Sequence, residues 1–436
     1  MRLDRRATPK HIAGRTSMPS ASITLRDIRA AQKRIASGIA LTPCPESIPL
    51  SEIAPQAPRT RIYCKLDNFQ RTGSFKERGA RNALLLLTPA QRKLGVIAAS
   101  AGNHALGLAY HGKLLNIPVT VVMPDYAPLI KITTCQRLGA RVIVQGIDFP
   151  AARAEADRLT KIESLTYIHG FDDPAIIAGQ GTLGLEILSQ VPQVDAIVCP
   201  VGGAGLIAGV SLAVKSLRPA VRIIGVESAA TGNYTAAQHS GKPVNVARRP
   251  TLADGLATLT VGPNAFALAR RHVDDIVSVD EKWIALAILR MLELEKTVVE
   301  GAAAAPLAAL MSGQLGPILR RLARGRKAAP LRVVLVVGGG NIDPAVLSRV
   351  IEKGLVHDGR LSQFTARISD RPGGLAELCR VIATAGASIK DVTHDRAFSG
   401  PDVSAVHARC TVETRDRLHV KALHAALRRA GFELEL

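Results

Sequence analysis

The chain has 436 residues, 47% of them hydrophobic and 21% charged, so it has the length for two or three domains and the composition for large cores. Its formal net charge is +20, but the arginines are scattered and few aromatic residues interleave with them, which favours a solvated basic surface over a nucleic-acid interface. The six cysteines (Cys44, Cys64, Cys135, Cys199, Cys379, Cys410) form no C-x-x-C pair, which argues against a zinc knuckle or a disulfide framework and points to thiols in a reducing cytoplasm.

Met1 to Ser20 is basic and irregular and has no apolar segment of a secretory signal. It reads as a disordered tail, a transit-like segment or an over-extended start, with Met18 as an alternative first residue. Leu25, Ile28, Gln32 and Ile35 recur at helical spacing behind Thr24 as N-cap. Arg61 to Leu66 reads as a strand, and Gly73-Ser74-Phe75-Lys76-Glu77-Arg78-Gly79 then leads into an alanine- and leucine-rich helix. An alternation of strands and helices follows. The strands are Val96 to Ala99, Val119 to Met123, Arg141 to Val144, Asp195 to Cys199, Arg222 to Val226 and Arg332 to Val337; helices are expected over Gly102 to Leu115 and near Pro128 to Leu138. Such β-branched runs separated by helices predict parallel sheets covered on both faces, with ligands beyond the carboxyl ends of the strands. The most apolar stretch, Gly301 to Met311, is shorter than a bilayer span and carries Pro306, so no membrane role is expected. The dense basic run Arg320 to Lys327 reads as a solvated helix end. Residues 352–361 are the expected linker. Beyond it, Gln363 to Ser369, a helix opened by Asp370-Arg371-Pro372-Gly373-Gly374-Leu375, strands Ser388 to Asp395 and Val403 to Thr414, a helix Leu418 to Ala430 and a last strand Phe432 to Leu436 predict a small βαββαβ sandwich.

Four strand-to-helix or strand-end segments carry the candidate chemistry. A shielded Lys76 amine loses part of its preference for protonation and can attack a carbonyl carbon, although a buried, ion-paired lysine would have the same sequence. Ser100-Ala101-Gly102-Asn103-His104 opens a helix, where free N–H groups bind a carboxylate and Asn103 offers an amide donor; a plain capped helix start is the alternative. Pro200-Val201-Gly202-Gly203-Ala204-Gly205-Leu206 can form a phosphate nest or a tight turn; it is neither G-x-G-x-x-G nor a Walker loop. Val337-Gly338-Gly339-Gly340-Asn341 lets a backbone or a flat ring approach, or is a simple turn. An imine-forming lysine, an asparagine loop and a phosphate nest on one α/β scaffold suit pyridoxal 5'-phosphate.

With these motifs in this order, residues 21–351 resemble the threonine/serine dehydratases of the fold-type II pyridoxal-phosphate enzymes, a two-lobed, tryptophan synthase β-like α/β fold. The smaller lobe is expected over roughly 65–165. The C-terminal unit, 362–436, resembles an ACT domain, a module that senses amino acids. The resemblance implies a threonine ammonia-lyase that also acts on serine. Lys76 would hold the cofactor as a Schiff base, Phe75 and Gly255 would flank its ring, and Asn103 would bond the ring hydroxyl. Gly202, Gly203, Ala204, Gly205 and Leu206 would bind the phosphate, and Ser100, Ala101, Gly102, Asn103 and His104 the substrate carboxylate. Glu300 matches a family glutamate near the substrate, and Asp370, Pro372, Gly373 and Leu375 would form the effector turn of a homo-oligomer, dimer or tetramer.

Several positions depart from the family pattern. Gly338 stands where serine or cysteine usually faces the pyridine nitrogen. Ala204 replaces a glycine of the nest, and Leu106 replaces the usual glutamine. Ala101 supplies no second base, which argues against racemisation. Glu227 matches one ligand of a divalent-cation site known in some relatives, but Asn233 stands where a carboxylate is usual, so no metal is expected. Dehydration of another β-hydroxy amino acid, such as hydroxyaspartate, and a non-catalytic amino-acid sensor are the competing readings.

Overall fold

The computed structural model describes residues 23–53, 59–247, 249–324, 329–395 and 405–435. The expected N-terminal tail, Gly325 to Lys327 of the basic run, and the expected strand ends Val403 and Leu436 lie outside the described residues. In chain order the strands are β1 (Glu46–Ser47), β2 (Thr60–Leu66), β3 (Val96–Ala99), β4 (Val119–Met123), β5 (Arg141–Val144), β6 (Thr166–Tyr167), β7 (Ala196–Pro200), β8 (Arg222–Ser228), β9 (Asp275–Val279), β10 (Leu331–Val337), β11 (Leu361–Ser369), β12 (Ser388–Asp395), β13 (Ala405–Glu413) and β14 (Glu433–Glu435).

They form three sheets. The six-stranded sheet has the order β1-β2-β10-β7-β8-β9, parallel except for β1. The all-parallel four-stranded sheet has the order β5-β4-β3-β6. The third, antiparallel throughout, has the order β12-β13-β11-β14. The long parallel strands β7 and β10 are apolar almost without alternation because helices cover both of their faces. One face meets the alanine-rich helix Gly301–Met311 and the helix Glu281–Leu294; the other meets the helix Gly205–Leu217. These cores are almost wholly aliphatic, as an aromatic content of 3% requires.

Glycines bring three helices into contact. A Cβ on Gly179, in the helix Pro174–Gln190, would lie 2.6 Å from the Cα of Gly79 in the helix Lys76–Leu86, and one on Gly181 would lie 2.9 Å from the Gly209 carbonyl in the helix Gly205–Leu217. The closing glycine of the lysine motif therefore serves helix packing.

One expectation about the second half changes. The linker expected over 352–361 is mostly helical: Pro344–Asp358 is one helix, capped by Gly359 at φ +72, and β11 begins at Leu361. Val350 and Gly354 pack that helix onto the core, which is why it continues through a polar sequence. Among the described residues no single helix is long and apolar enough to cross a membrane; Gly301–Met311 and Gly316–Ala323 qualify only together and bend by 61°.

Candidate active site

The order of the large sheet places the site. β2, β10 and β7 are adjacent and parallel, so the lysine loop after Leu66, the glycine loop after Val337 and the nest after Pro200 all emerge from one edge. The asparagine loop follows β3 of the smaller sheet, and the structure closes it against them. Carboxyl ends of parallel strands are where such folds bind ligands.

Lys76 is the first residue of its helix, with Phe75 as N-cap. The Phe75 N–H donates to the Gly338 carbonyl at 2.9 Å, which ties the lysine loop to the glycine loop. Lys76 is half-buried, and its Nζ donates to the Gly170 carbonyl at 2.7 Å. The amine lies 5.3 Å from the centre of the Phe75 ring and 6.0 Å from that of Phe171. Burial between these rings lowers its pKa to about 8, against the opposing pull of the Glu300 carboxylate.

Phe171 also shapes the nest. A side chain on Gly203 would collide with its ring, and one on Gly205 with its carbonyl. A Cβ on Gly202 would come within 2.9 Å of Leu256 Cα. These glycines make room, whereas the left-handed backbone falls on Ala204, at φ +70. An L-residue there stores about 1–2 kcal/mol of strain. Among the described residues no backbone bond uses the N–H groups of Gly202 to Ile207, which open the 13-residue helix Gly205–Leu217. Such a row of free N–H groups at the positive end of a helix suits a phosphate.

The asparagine loop opens the helix Asn103–Leu115 with Gly102 as N-cap. Ser100, Ala101, Gly102 and Asn103 are partly exposed to the cleft, and the Gly102 N–H donates to Ser100 Oγ at 3.3 Å. His104 differs. Its ring is 4% exposed and turned inward, with Nε2 3.0 Å from the Ile168 carbonyl, and burial together with nearby Lys76 lowers its pKa to about 3. Among the described residues its Nδ1 is buried without a hydrogen-bond partner, and its backbone N–H lies in the first turn of the helix.

Asn103 Nδ2 donates to both Glu300 oxygens, at 2.8 and 3.0 Å. Glu300 is the N-cap of Gly301–Met311, and its own N–H bonds the Gly339 carbonyl at 3.1 Å. Burial raises its pKa to about 7, partly offset by the Asn103 bond; Asp254 raises it further, while Lys131 and Lys76 pull it down. A side chain on Gly339 would strike this carboxylate. Gly255 sits in the exposed turn Asp254–Leu256, where a Cβ would lie 3.1 Å from Ala302 Cβ and 3.8 Å from Glu300 Oε1. Gly338 is buried, and a Cβ there would stand 3.1 Å from the Phe75 ring, so a serine would press on that ring.

Lys76, Phe75, the asparagine loop, the nest, Gly255, Gly338 and Glu300 thus come together. Asp370, Pro372, Gly373 and Leu375 do not; they lie on the turn between β11 and the helix Gly374–Thr384 of the third sheet. Four contributors escaped the sequence reading: Gly170, Phe171, Lys131 and the side chain of Asn341. Gly170 and Phe171 follow the two-residue β6, too short to show a period. Glu227 is buried among protein donors: it accepts from the Tyr234 N–H at 3.0 Å, from the Thr235 N–H at 3.4 Å, and from the hydroxyls of Thr235 and Ser278.

Pyridoxal phosphate passes the test of fit. A lysine amine, a row of free N–H groups and glycine-cleared space lie beside Phe75 and Phe171, and a cavity of about 1160 Å³, lined by Glu300, Asp254 and Asn341 among others, opens next to the Asn103–Glu300 pair. The comparisons agree with that chemistry. The chain is 41% identical over 415 residues to a Thermotoga maritima protein named L-threonine ammonia-lyase, covering 95% of this chain and 99% of that one. It resembles the processed form of threonine deaminase isoform 2 from Solanum lycopersicum, with TM-score 0.69, 34% identity, 76% of this chain and 87% of the other. It also resembles a serine racemase from Dictyostelium discoideum, with TM-score 0.68, 33% identity, 74% of this chain and all of the other. The family described as pyridoxal-phosphate dependent enzyme matches residues 35–337, and the chain belongs to that family, in its fold-type II branch.

Proposed function

We propose that the chain is a threonine ammonia-lyase, which turns L-threonine into 2-oxobutanoate and ammonia, and L-serine into pyruvate and ammonia, by α,β-elimination of water followed by hydrolysis of the released enamine through its imine tautomer. The observation that carries this reading is the Lys76 amine, desolvated to a pKa of about 8 and facing a free N–H nest and an asparagine–carboxylate pair across one cleft. Similarity to the Thermotoga maritima ammonia-lyase over 95% of the chain supports the choice of substrate.

Pyridoxal phosphate, when bound, supplies an electron sink for the charge that develops at the substrate Cα. Lys76 is the residue that would hold it. A substantial fraction of this amine is neutral near pH 8, so once free it can take the Cα proton as a general base. The N–H groups of Gly202, Gly203, Ala204, Gly205 and Leu206 would hold the phosphate. Those of Asn103 and His104, at the positive end of their helix, would orient the substrate carboxylate. Phe75 and Gly255 would confine the ring, and Asn103 would donate to its hydroxyl. Ala101 offers no second base in the asparagine loop, which favours elimination over racemisation.

The C-terminal unit is read as an ACT-like module that takes an amino-acid effector at Asp370, Pro372, Gly373 and Leu375. Gly373 at φ +99 and Gly374, whose Cβ would collide with the Ser369 carbonyl, give that turn a shape few other sequences adopt. The edge strands β12 and β14 supply a route to a homo-oligomer. Six free thiols support a cytoplasmic location.

The test is Lys76→Ala. It should remove both the visible band at about 410–420 nm expected of a lysine-bound cofactor and the release of 2-oxobutanoate from threonine. Turnover that survives the substitution would sink the mechanism. A panel of β-hydroxy amino acids, with and without isoleucine, checks the substrate and effector assignments.

A further inference from the structure

Asn341 belongs to none of the roles given above, yet its side chain joins three of the loops. Both bonds come from its Nδ2: to the Thr72 carbonyl in the lysine loop at 2.7 Å, and to Asn103 Oδ1 in the asparagine loop at 2.9 Å. The two N–H groups of a primary amide are thereby used. Its own backbone carbonyl accepts from Lys131 Nζ at 3.1 Å. The amide is packed in place: a Cβ on Gly73, itself at φ +76, would lie 2.6 Å from Asn341 Oδ1, and the Gly340 N–H bonds the Gly73 carbonyl at 2.9 Å.

The direction of these bonds is fixed from both ends. The Thr72 carbonyl can only accept, so Asn341 must turn its nitrogen toward the lysine loop. Above about pH 7, where the Glu300 carboxylate is ionised, it can only accept, so Asn103 turns its nitrogen toward Glu300 and its oxygen toward Asn341. Each asparagine is held by one acceptor of its own, and the bond between them adds a second constraint to both.

We propose that Asn341 is a positioning residue for cofactor binding: its amide keeps the nitrogen edge of Asn103 toward Glu300 and the cleft, so that one of the two N–H groups held by the carboxylate can pass to the cofactor. This rests on the reading that Asn103 donates to the ring hydroxyl. An aspartate at position 341 has the same shape and no donor. It would repel Asn103 Oδ1 and draw the Asn103 nitrogen toward itself, leaving an oxygen where the ring needs an N–H.

The test uses the full chain, stripped of cofactor and titrated with pyridoxal phosphate, with three readouts: the dissociation constant, the position of the bound absorption band and the thermal midpoint of the cofactor-free protein. Asn103→Ala should weaken cofactor binding by about tenfold or more and shift the band. Asn341→Asp should do the same. The double variant Asn341→Asp/Glu300→Gln separates positioning from stability. The glutamine amide that replaces the Glu300 carboxylate can donate to the reversed Asn103, so the thermal midpoint should recover while cofactor binding stays weak. Recovery of both overturns the proposal, since Asn341 would then be structural only. Wild-type binding by Asn341→Asp beside weak binding by Asn103→Ala also overturns it and leaves the role of Asn103 intact. Wild-type binding by Asn103→Ala removes the reading beneath it. If Asn341→Asp does not fold, Asn341→Ala carries the same comparison: weakened binding supports the proposal and unchanged binding overturns it.

Discussion

The Lys76 amine is pulled in two directions. Burial between Phe75 and Phe171 disfavours the ammonium, and the Glu300 carboxylate favours it; burial wins, and the pKa falls from 10.5 to about 8. Acylation of the cofactor-free protein across pH should therefore show a Lys76 midpoint near 8. In Glu300→Gln the carboxylate is gone, so the midpoint should move lower still; a midpoint near that of free lysine would refute the account. The same substitution has a stability signature. The folded Glu300 carboxyl titrates at about 7 against 4.5 unfolded, so the folded state holds the extra proton between those values. Its contribution is present below pH 4.5 and lost as pH rises to about 7, and Glu300→Gln should remove that slope from denaturation curves. Much at this scale is legible in sequence. Lys76, Asn103 and the nest are legible jointly: each alone also fits an ion-paired lysine, a helix cap or a tight turn, but their order on one α/β scaffold does not. The role of each glycine is less legible: clearance for Phe171 depends on a residue some 30 positions upstream of the nest.

The helix Lys76–Leu86 is anchored two residues beyond Lys76. Arg78 is fully buried and spends all five N–H groups. Nε and Nη2 hold Asp67 at 2.7 Å each, Nη1 and Nη2 hold Glu186 at 2.6 and 2.8 Å, and Nη1 reaches Thr182 Oγ1 at 3.1 Å. Lys65 Nζ completes the cluster on Glu186 at 2.6 Å. Burial alone would raise the Asp67 pKa, but Arg78 outweighs it and holds the carboxyl below its usual range. Arg78→Met should cost about 3–5 kcal/mol in denaturant unfolding, because it strands the buried Asp67 and the partly buried Glu186 carboxylates with one cation. Arg78→Lys keeps the charge and loses the fork, so it should fall between; an unchanged midpoint for Arg78→Met would show the cluster to be inert. The motif exposed Arg78 in sequence but not its partners, which come from β2's exit and from the helix Pro174–Gln190. Strands were legible where uninterrupted apolar runs reach about three residues or more. β9 (Asp275–Val279) was missed because it lies at a sheet edge and most of its side chains stay partly exposed, so no continuous apolar run forms.

At the scale of the whole molecule, the C-terminal unit has a hydrophobic core of its own. Phe364, Ile368, Leu378, Ile382, Val412, Leu423 and Leu427 pack with one another and share no cluster with earlier residues. Among the described residues, polar bonds tie this unit and the segment leading into it to the rest. Arg290 holds Asp358 through both oxygens at 2.8 and 2.7 Å, Glu293 pairs with Arg360, Lys390 reaches Glu352 at 2.9 Å, and Arg417 donates to the His357 carbonyl. Partly exposed pairs of this kind contribute about 0–1 kcal/mol each and weaken with salt. The change from long β-branched runs to half-exposed alternation near Leu361 made this division readable in sequence, whereas the rigid helix Pro344–Asp358 leading into it did not stand out from a polar linker. Separate cores joined by a polar seam should melt separately. Calorimetry of the full chain should give two transitions, and pyridoxal phosphate, bound only by the larger unit, should raise that transition alone. Added salt should widen the gap by loosening the seam. A single transition that shifts as a whole with the cofactor would mean that the Arg290, Glu293, Asp358 and Arg360 cluster transmits far more free energy than its exposure allows, and the helix Pro344–Asp358 would then be a stiff lever between the cleft and the C-terminal sheet.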